Sequence, residues 1–242
     1  MFNAQREDVL RWLKEAHKEY PTASRSRKKE LLDDMADWSA YESQFAETMK
    51  KIYAIIIEET GSAALSSMIS DGEFDPFSLS IQNFLRNESL KVSETITEET
   101  KKQIRAALSQ GMLDGDSVYE LSQKVNEVFG YASSGRAYKI AESESTRAQG
   151  YADVEAWTQS GQVEAKTWYT SIDERVCIFC GDMHGRTVSL RDNFYNKGDR
   201  LVVPRDGDKS DAVMNISYED IKHQPLHVRC RCVLLPVMKD IV

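Results

Sequence analysis

Cys177-Ile178-Phe179-Cys180 and His227-Val228-Arg229-Cys230-Arg231-Cys232 contain all four cysteines of this 242-residue chain and frame its last third. Two short chelating pairs separated by a long loop have the spacing of a structural zinc site. Five side chains compete for the four positions around a tetrahedral ion: Cys177, Cys180, His227, Cys230 and Cys232. We predict that Zn²⁺ binds the first pair, the histidine and one of the last two cysteines, with a slight preference for Cys230.

Three other interpretations of the cysteines compete with zinc. A thioredoxin-like redox pair is disfavoured, because the first pair is not predicted to open a helix in a βαβ unit and faces a second pair that it would not need. Plain buried thiols would be expected to scatter through the sequence. A disulfide between the two ends is the alternative if the protein matures outside the cell or in a particle exposed to oxygen. The ligand spacing favours zinc over all three.

The region after Gly161 is rich in Val, Thr and aromatic residues with polar stretches between them, which predicts short strands joined by loops. The predicted strands are 165–170, 186–190, 201–203 and 230–237. On the last strand, Cys230 and Cys232 would lie on one face with Arg231 opposite. The polar stretch 192–220 predicts a mobile loop or insertion.

Upstream of Gly161, apolar residues recur every three or four positions, which predicts a helical scaffold. A first helix is predicted over 8–20 and is stopped by Pro21. The stretch 27–70 contains one glycine, Gly61, and no proline, so one long helix or a hairpin of two would fit. Residues 71–77 have the composition of a turn, and a short helix follows over 80–85.

Capping motifs locate the next two helices. Thr95 and Glu98 form a capping box that predicts the start of a second helical block, which Gly115 stops. Ser117 and Glu120 form another capping box for the following helix. Because the connecting turn is very short, the two helices are predicted to pack as an antiparallel or steeply crossed pair.

A long helix is predicted to follow, with Ser133 or Ser134 as its N-cap, its end near Gln159 and Gly161 in the C-terminal cap. One of its faces carries only small residues: Ala137, Ala141, Ala148, Ala152 and Ala156. Another element can therefore approach this helix closely.

The predicted fold class is α+β and predominantly α-helical. An N-terminal helical scaffold is followed by a small strand-containing C-terminal module stabilised by zinc. The predicted parts are an N-terminal helical region over 1–92, a second helical part over 93–161 and the β-rich Cys/His metal-bound module over 162–242.

Composition argues against two classes of protein. The net charge of −8 and the pI near 5.2 do not suit a protein that wraps nucleic acid through its overall field. Local basic clusters remain at 25–29 and 229–231, and the first is interpreted as a solvated helix entry because no aromatic residues are interleaved.

The most apolar run, 52–57, is far shorter than the roughly 20 residues of a membrane span. With no secretory signal visible, we expect a soluble protein made in a reducing cytosol.

Several motifs of the last third occur together in one known family. They are Trp168-Tyr169-Thr170-Ser171, Asp173-Glu174-Arg175 before the first cysteine pair, and Pro225-x-His227-x2-Cys230-Arg231-Cys232 at the end. The pattern resembles the phage head morphogenesis family, to which the Mu F protein belongs. The resemblance extends over about 93–236 and includes weaker helical motifs such as Ile140-Ala141-x-Ser143-Glu144. The chain departs from many members in having Glu142 where they have Arg, and the cysteines 177 and 180 where they have Arg and His.

The resemblance implies a minor head protein of a tailed bacteriophage or prophage, with its zinc site in a structural role. Such proteins are present in few copies, bind the portal protein during capsid assembly and leave the capsid with the DNA. Scaffold or capsid proteins and a weak DNA contact are further expected partners, and no membrane is. The expected location is the virion, in the capsid interior or at the portal vertex, and the host cytoplasm during assembly. Some family domains are fused to the portal protein, so the chain also fits a fragment of a longer one.

An enzyme is the competing class. Asp173, Glu174, Asp182 and His184 surround the first cysteine pair, and a metal with an open position could activate water for nucleic-acid hydrolysis. Glu142-Ser143-Glu144 is similar to the paired acidic residues of ADP-ribosyltransferases. The non-enzyme interpretation is favoured, because the Cys and His ligands can close the tetrahedron and the sequence has no phosphate-binding glycine loop, nucleophile elbow or metalloprotease motif.

Overall fold

The computed structural model describes residues 2–16, 18–19, 22–24, 27, 30, 34–69, 72–205 and 210–240, without the side chains of residues 133 and 134. The helices of these ranges are α1 (Phe2–Ala16), α2 (Trp38–Ser66), α3 (Leu79–Asp114), α4 (Val118–Tyr131), α5 (Ala137–Ser160) and α6 (Ile178–Met183). The strands are β1 (Val163–Tyr169), β2 (Thr187–Ser189), β3 (Arg200–Val203), β4 (Ala212–Asn215) and β5 (Val233–Met238). Long helices followed by small antiparallel sheets make the fold α+β and predominantly helical, as predicted.

The chain forms two compact units, each with its own hydrophobic core. The first unit comprises Met1–Ile52 and Gln82–Tyr138, and the second comprises Tyr53–Ile81 and Lys139–Val242. The division of the sequence after 92 and 161 stays a prediction.

The core of the first unit is built from the apolar faces of α1, α3 and α4. Val9 and Leu13 of α1 are buried together with Leu108 of α3 and with Leu121 and Val125 of α4. The two helices on either side of Gly115 therefore share one core, and their antiparallel or steeply crossed arrangement stays a prediction. The first predicted helix exists but begins at Phe2 and ends at Ala16, and its expected stop at Pro21 lies outside the described residues.

Helix α3 is continuous where the sequence predicted a short helix and a second start near Thr95. No glycine or proline occurs between Leu79 and Gly111, so nothing in the chain forces a break. The Thr95 hydroxyl donates to the carbonyl of Lys91 at 2.8 Å, one turn back in the same helix. The Thr95 capping box was therefore wrong, because a hydroxyl that can cap a helix can equally be satisfied inside one.

The capping box of α4 is confirmed. The Ser117 N–H donates to the Glu120 carboxylate at 2.7 Å, and the Glu120 N–H donates to the Ser117 hydroxyl at 3.3 Å. Gly115 has a positive φ of 81°, which suits the end of α3.

The predicted cap at Ser133 or Ser134 was wrong. The backbone leaves α4 through a π-helical turn, Ala132–Arg136, and continues directly into α5. A π turn holds one extra residue in the helical path, so no cap is needed there. The predicted C-terminal cap is confirmed, since Gly161 follows the last residue of α5 with a φ of +65°.

The second unit contains a three-stranded antiparallel sheet in the order β2-β1-β5 and a two-stranded antiparallel sheet of β3 and β4. In the larger sheet Thr167 pairs with Thr187 on one side and with Leu235 on the other. The buried side chains Trp157, Trp168, Met183, Leu201 and Leu234 join α5, α6 and both sheets in one core.

The described parts of the stretch 192–220, which are 192–205 and 210–220, are more ordered than predicted, because they contain β3 and β4, which pair with each other. Tyr195 also forms a β-bridge with Ile221, and Ile216 is fully buried. Four-residue strands with polar flanks are too short to show a clear period in the sequence. No helix in the described ranges combines the length and the apolar composition that crossing a membrane requires.

Candidate metal centre

The second unit brings all five predicted ligands together. Their donor atoms form two overlapping groups, each with its members within 4.8 Å of one another. The first group is Cys177, Cys180 and His227, and the second is Cys180, Cys230 and Cys232. Three of the four cysteines are buried, and Cys180 belongs to both groups. The cluster therefore has the composition and compactness of a metal site.

The first cysteine pair opens helix α6, which the sequence analysis missed. Cys177 is the N-cap of α6, and the Cys180 N–H donates to the Cys177 sulfur at 3.3 Å. The pair does open a helix, but this helix lies between the antiparallel strands β1 and β2, so the prediction that the pair does not open a helix in a βαβ unit is confirmed. A helix of six residues that contains Gly181 has too little periodicity to be recognised.

His227 points its Nε2 atom at the two sulfurs of the first pair. That nitrogen lies 3.1 Å from the Cys177 Sγ and 3.1 Å from the Cys180 Sγ. The other ring nitrogen, Nδ1, is 2.9 Å from the carbonyl oxygen of Val228. A hydrogen bond from Nδ1 to a backbone carbonyl leaves the Nε2 lone pair free for a metal, which is a common arrangement of ligating histidines.

A tight turn carries the second set of ligands. The Cys230 N–H donates to the His227 carbonyl at 3.1 Å, and Arg229 between them has a φ of +63°. Cys230 and Cys232 precede β5, which begins at Val233, so their placement on a strand was wrong. Both cysteines are nevertheless buried while Arg231 is exposed. The predicted alternation of buried and exposed side chains over 230–232 is therefore present, although these residues lie outside the strand.

The sulfur atoms are spaced for a shared cation rather than for a disulfide. The Cys180 and Cys230 sulfurs are 3.9 Å apart, whereas a disulfide bond is about 2.05 Å long. Zn–S bonds of about 2.3 Å in tetrahedral geometry place two sulfur ligands roughly 3.8 Å apart. All four thiols are unbonded.

Charge is unevenly distributed among the crowded thiols. Hydrogen bonds from Cys180 and Cys230, with a further one from Thr170, lower the pKa of Cys232 to about 2. The hydrogen bonds of Cys180 with Cys230 and Cys232, together with burial, raise the pKa of Cys180 far above its usual range. These hydrogen bonds favour ionisation of Cys232 over that of Cys180. Binding of a divalent cation would favour ionisation of the thiols that hold it.

An ion pair joins the two halves of the centre. Two nitrogens of the Arg231 guanidinium lie 2.8 and 2.7 Å from the two carboxylate oxygens of Asp173. Asp173 also accepts the Arg175 N–H at 3.0 Å. Arg231 lowers the pKa of Asp173 to about 2. This pair fixes the segment before Cys177 against the segment between Cys230 and Cys232.

Helix α5 supports the same turn from the other side. The Arg229 N–H donates to the Ser143 hydroxyl at 3.2 Å, and its guanidinium Nε donates to Glu142 at 3.2 Å. Glu144 accepts the Tyr53 hydroxyl at 2.7 Å and the Nε of Arg147 at 3.0 Å. The sequence analysis missed this role of 142–144, for which the sequence offers only the opposite charge of Arg229.

Two residues near the first cysteine pair make other contacts. Asp182 pairs with Arg186 at 3.4 Å. The His184 Nδ1 accepts the Thr170 N–H at 3.3 Å, and the His184 ring lies 4.8 Å from the Tyr169 ring. Among the described residues, neither Asp182 nor His184 belongs to either donor group.

The comparisons with known proteins agree with the motifs. The model of the family described as Phage Mu protein F like protein matches residues 102–235. The matched region contains α4, α5 and all five Cys and His residues of the cluster. No curated protein and no solved structure gives a significant match to the chain.

Proposed function

Because the chain belongs to the phage Mu protein F like family, a phage head morphogenesis family, we propose that it is a minor head protein of a tailed bacteriophage or prophage. The match over residues 102–235 carries this proposal, since it covers more than half of the chain and includes the helices α4 and α5 and the Cys/His cluster. Family membership indicates interactions with other phage structural proteins. The proposed partner is the portal protein, with scaffold or capsid protein as further contacts.

The proposed location is the virion, in the capsid interior or at the portal vertex, with release alongside the DNA at infection. The net charge of the chain, −8, suits binding to a protein partner better than tight binding to DNA. The long helices α2 and α3 offer surface for docking to a ring of portal subunits.

Co-purification tests the portal interaction. The tagged chain is co-expressed with the portal protein encoded in the same genome, and a tagged acidic protein of similar size is the control. We expect the portal protein to be retained by the chain and not by the control at physiological salt. A portal protein that stays in the flow-through in both experiments contradicts the proposal.

The Cys/His cluster is proposed to hold one structural Zn²⁺ through Cys177, Cys180, His227 and one of Cys230 and Cys232. Thiolate and imidazole donors at these separations fit zinc. Bound zinc would neutralise the thiolates and cross-link two segments that are about 50 residues apart in the sequence. Four protein ligands leave no position for a substrate, so the proposed role is structural.

Elemental analysis of protein purified in reductant tests the proposed zinc site. We expect one zinc per chain. A zinc content near zero with all four thiols free would overturn it.

The contacts of the acidic residues support a non-enzymatic function. Glu142 and Glu144 bind side chains of their own unit, and Asp182 is paired with Arg186. We expect no metal-dependent cleavage of DNA. Cleavage that is lost when Asp182 and His184 are both replaced by Ala would contradict the proposal.

A further inference from the structure

The first unit contains a groove of about 550 Å³ between α3 and the π-helical turn that follows α4. It is lined by Thr95, Glu98, Glu99, Lys102, Arg105 and Arg136. Five of these side chains belong to α3, and Arg136 is the last residue of the π turn. A π turn inserts one extra residue into a helix and often occurs at functional sites, because it redirects the side chains that follow.

Arg136 is a partly buried cation whose hydrogen bonds go to neutral acceptors. Its guanidinium donates to the Thr100 hydroxyl at 2.8 Å and to the Ile96 carbonyl at 3.1 Å. Among the described residues, no carboxylate lies within ion-pair distance of it. Burial lowers the pKa of Arg136, and the nearby carboxylate of Glu99 opposes this shift without reversing it.

Each of the two acidic residues of the groove has a side-chain partner on its own helix. Glu98 pairs with Lys101 at 3.6 Å, and Glu99 accepts the side-chain amide of Gln103 at 2.7 Å. Lys102 and Arg105 add two positive charges to that of Arg136. The side chains that line the groove carry three formal positive and two formal negative charges, a net positive charge in a chain that is acidic overall.

We propose that this groove binds a phosphate group, with Arg136 as the central ligand and Lys102 and Arg105 at its sides. A guanidinium presents five N–H donors in a planar fork, and two of the five are committed to Thr100 and Ile96. The remaining donors match the oxygens of a tetrahedral oxyanion. The inference does not depend on a role in head assembly, because it rests only on the charges and contacts of the first unit.

Titration with inorganic phosphate, followed by the amide chemical shifts of the ¹⁵N-labelled full chain, tests the proposal. We expect saturable shifts confined to residues around 95–105 and 132–136. Arg136→Gln should weaken binding by about tenfold or more, because it removes a charge-assisted pair of hydrogen bonds. Lys102→Gln should also weaken it, and since Lys102 is exposed this variant reports on binding without affecting the fold.

Lys91→Gln is the matched control, because Lys91 lies on the same helix but does not line the groove. It should bind phosphate like the unchanged protein. Shifts that do not saturate, or that persist in both groove variants, would overturn the proposal. A short DNA duplex added in a parallel titration identifies the source of the phosphate. Competition with inorganic phosphate would assign the site to a nucleic-acid backbone, and lack of competition to a small anion.

Discussion

At the level of single residues, the two cysteines after His227 differ in what satisfies their sulfur atoms. The Cys232 sulfur has a hydrogen bond with Thr170 in addition to those with Cys180 and Cys230, whereas the side-chain hydrogen bonds of the Cys230 sulfur are with Cys180 and Cys232. We therefore expect Cys230→Ser to abolish zinc binding and Cys232→Ser to retain it. Zinc per chain, measured by elemental analysis of both variants, checks this. If Cys230→Ser retained zinc and Cys232→Ser lost it, Cys232 rather than Cys230 would be the fourth ligand.

Lys166 is a second residue with a measurable consequence. Its side chain is fully buried, and its Nζ donates to the Leu190 carbonyl at 2.8 Å. Burial, together with the charge of Lys222, lowers its pKa from 10.5 to about 8. Between these two pH values the unfolded chain binds a proton that the folded chain has released, so the free energy of unfolding rises with pH.

Relative to Lys166→Met, the unchanged protein should gain up to about 3 kcal/mol between pH 8 and pH 10.5. Denaturant unfolding of both proteins across this range measures the difference. Thiols titrate in both proteins, so the difference isolates the lysine. Parallel curves for the two proteins would show that the amine is not desolvated.

At the level of elements, two glycines in helices should respond in opposite ways to alanine. A Cβ at Gly61 of α2 would lie 2.3 Å from the Cζ of the buried Phe74, whereas a Cβ at Gly130 of α4 would have no neighbour within 4 Å among the described side chains. Gly61→Ala should destabilise the protein by about 1–3 kcal/mol through overpacking. Gly130→Ala should stabilise it by up to about 1 kcal/mol, through helix propensity alone. Thermal unfolding of both variants tests the contrast, and a stabilised Gly61→Ala would refute it.

The elements also show how far the sequence determines the fold and the site. An amphipathic period predicted the existence of α1 but not its bounds, the Ser-x2-Glu motif predicted the capping box at Ser117, and the Cys/His spacing predicted that the five candidate ligands lie together. The helix start predicted at Thr95 was wrong, because the Thr95 hydroxyl donates to a backbone carbonyl one turn back within a continuous helix. Contacts distant in sequence, such as Ser143 with Arg229, leave no periodic signal in either segment.

At the level of the whole molecule, the four tryptophans divide equally between the two cores. Trp12 and Trp38 pack in the core of the first unit, and Trp157 and Trp168 in that of the second. Only the second core contains the cluster. Because the apparent binding free energy of structural zinc is about 10 kcal/mol or more, metal removal should disorder the second core while sparing the first.

A strong chelator should therefore red-shift the fluorescence of Trp157 and Trp168 and leave that of Trp12 and Trp38 unchanged. Two double Trp→Phe variants, each retaining one pair, separate the signals. Cys177→Ser should reproduce the effect of the chelator, with most of the helical far-UV signal retained. Unchanged fluorescence from both pairs would mean that the cluster is incidental to folding.

The contact between Cys180 and His227 closes a loop that spans 47 positions and contains the β3–β4 hairpin. The entropy cost of closing a loop grows only with the logarithm of its length, so doubling it costs about 0.6 kcal/mol. An insertion between Val203 and Ala212, where the two hairpin strands are joined, would therefore change stability little. The connection between β3 and β4 is therefore suited to an insertion or a grafted epitope. The Cys and His residues of the cluster, which precede and follow it in the sequence, would keep their positions.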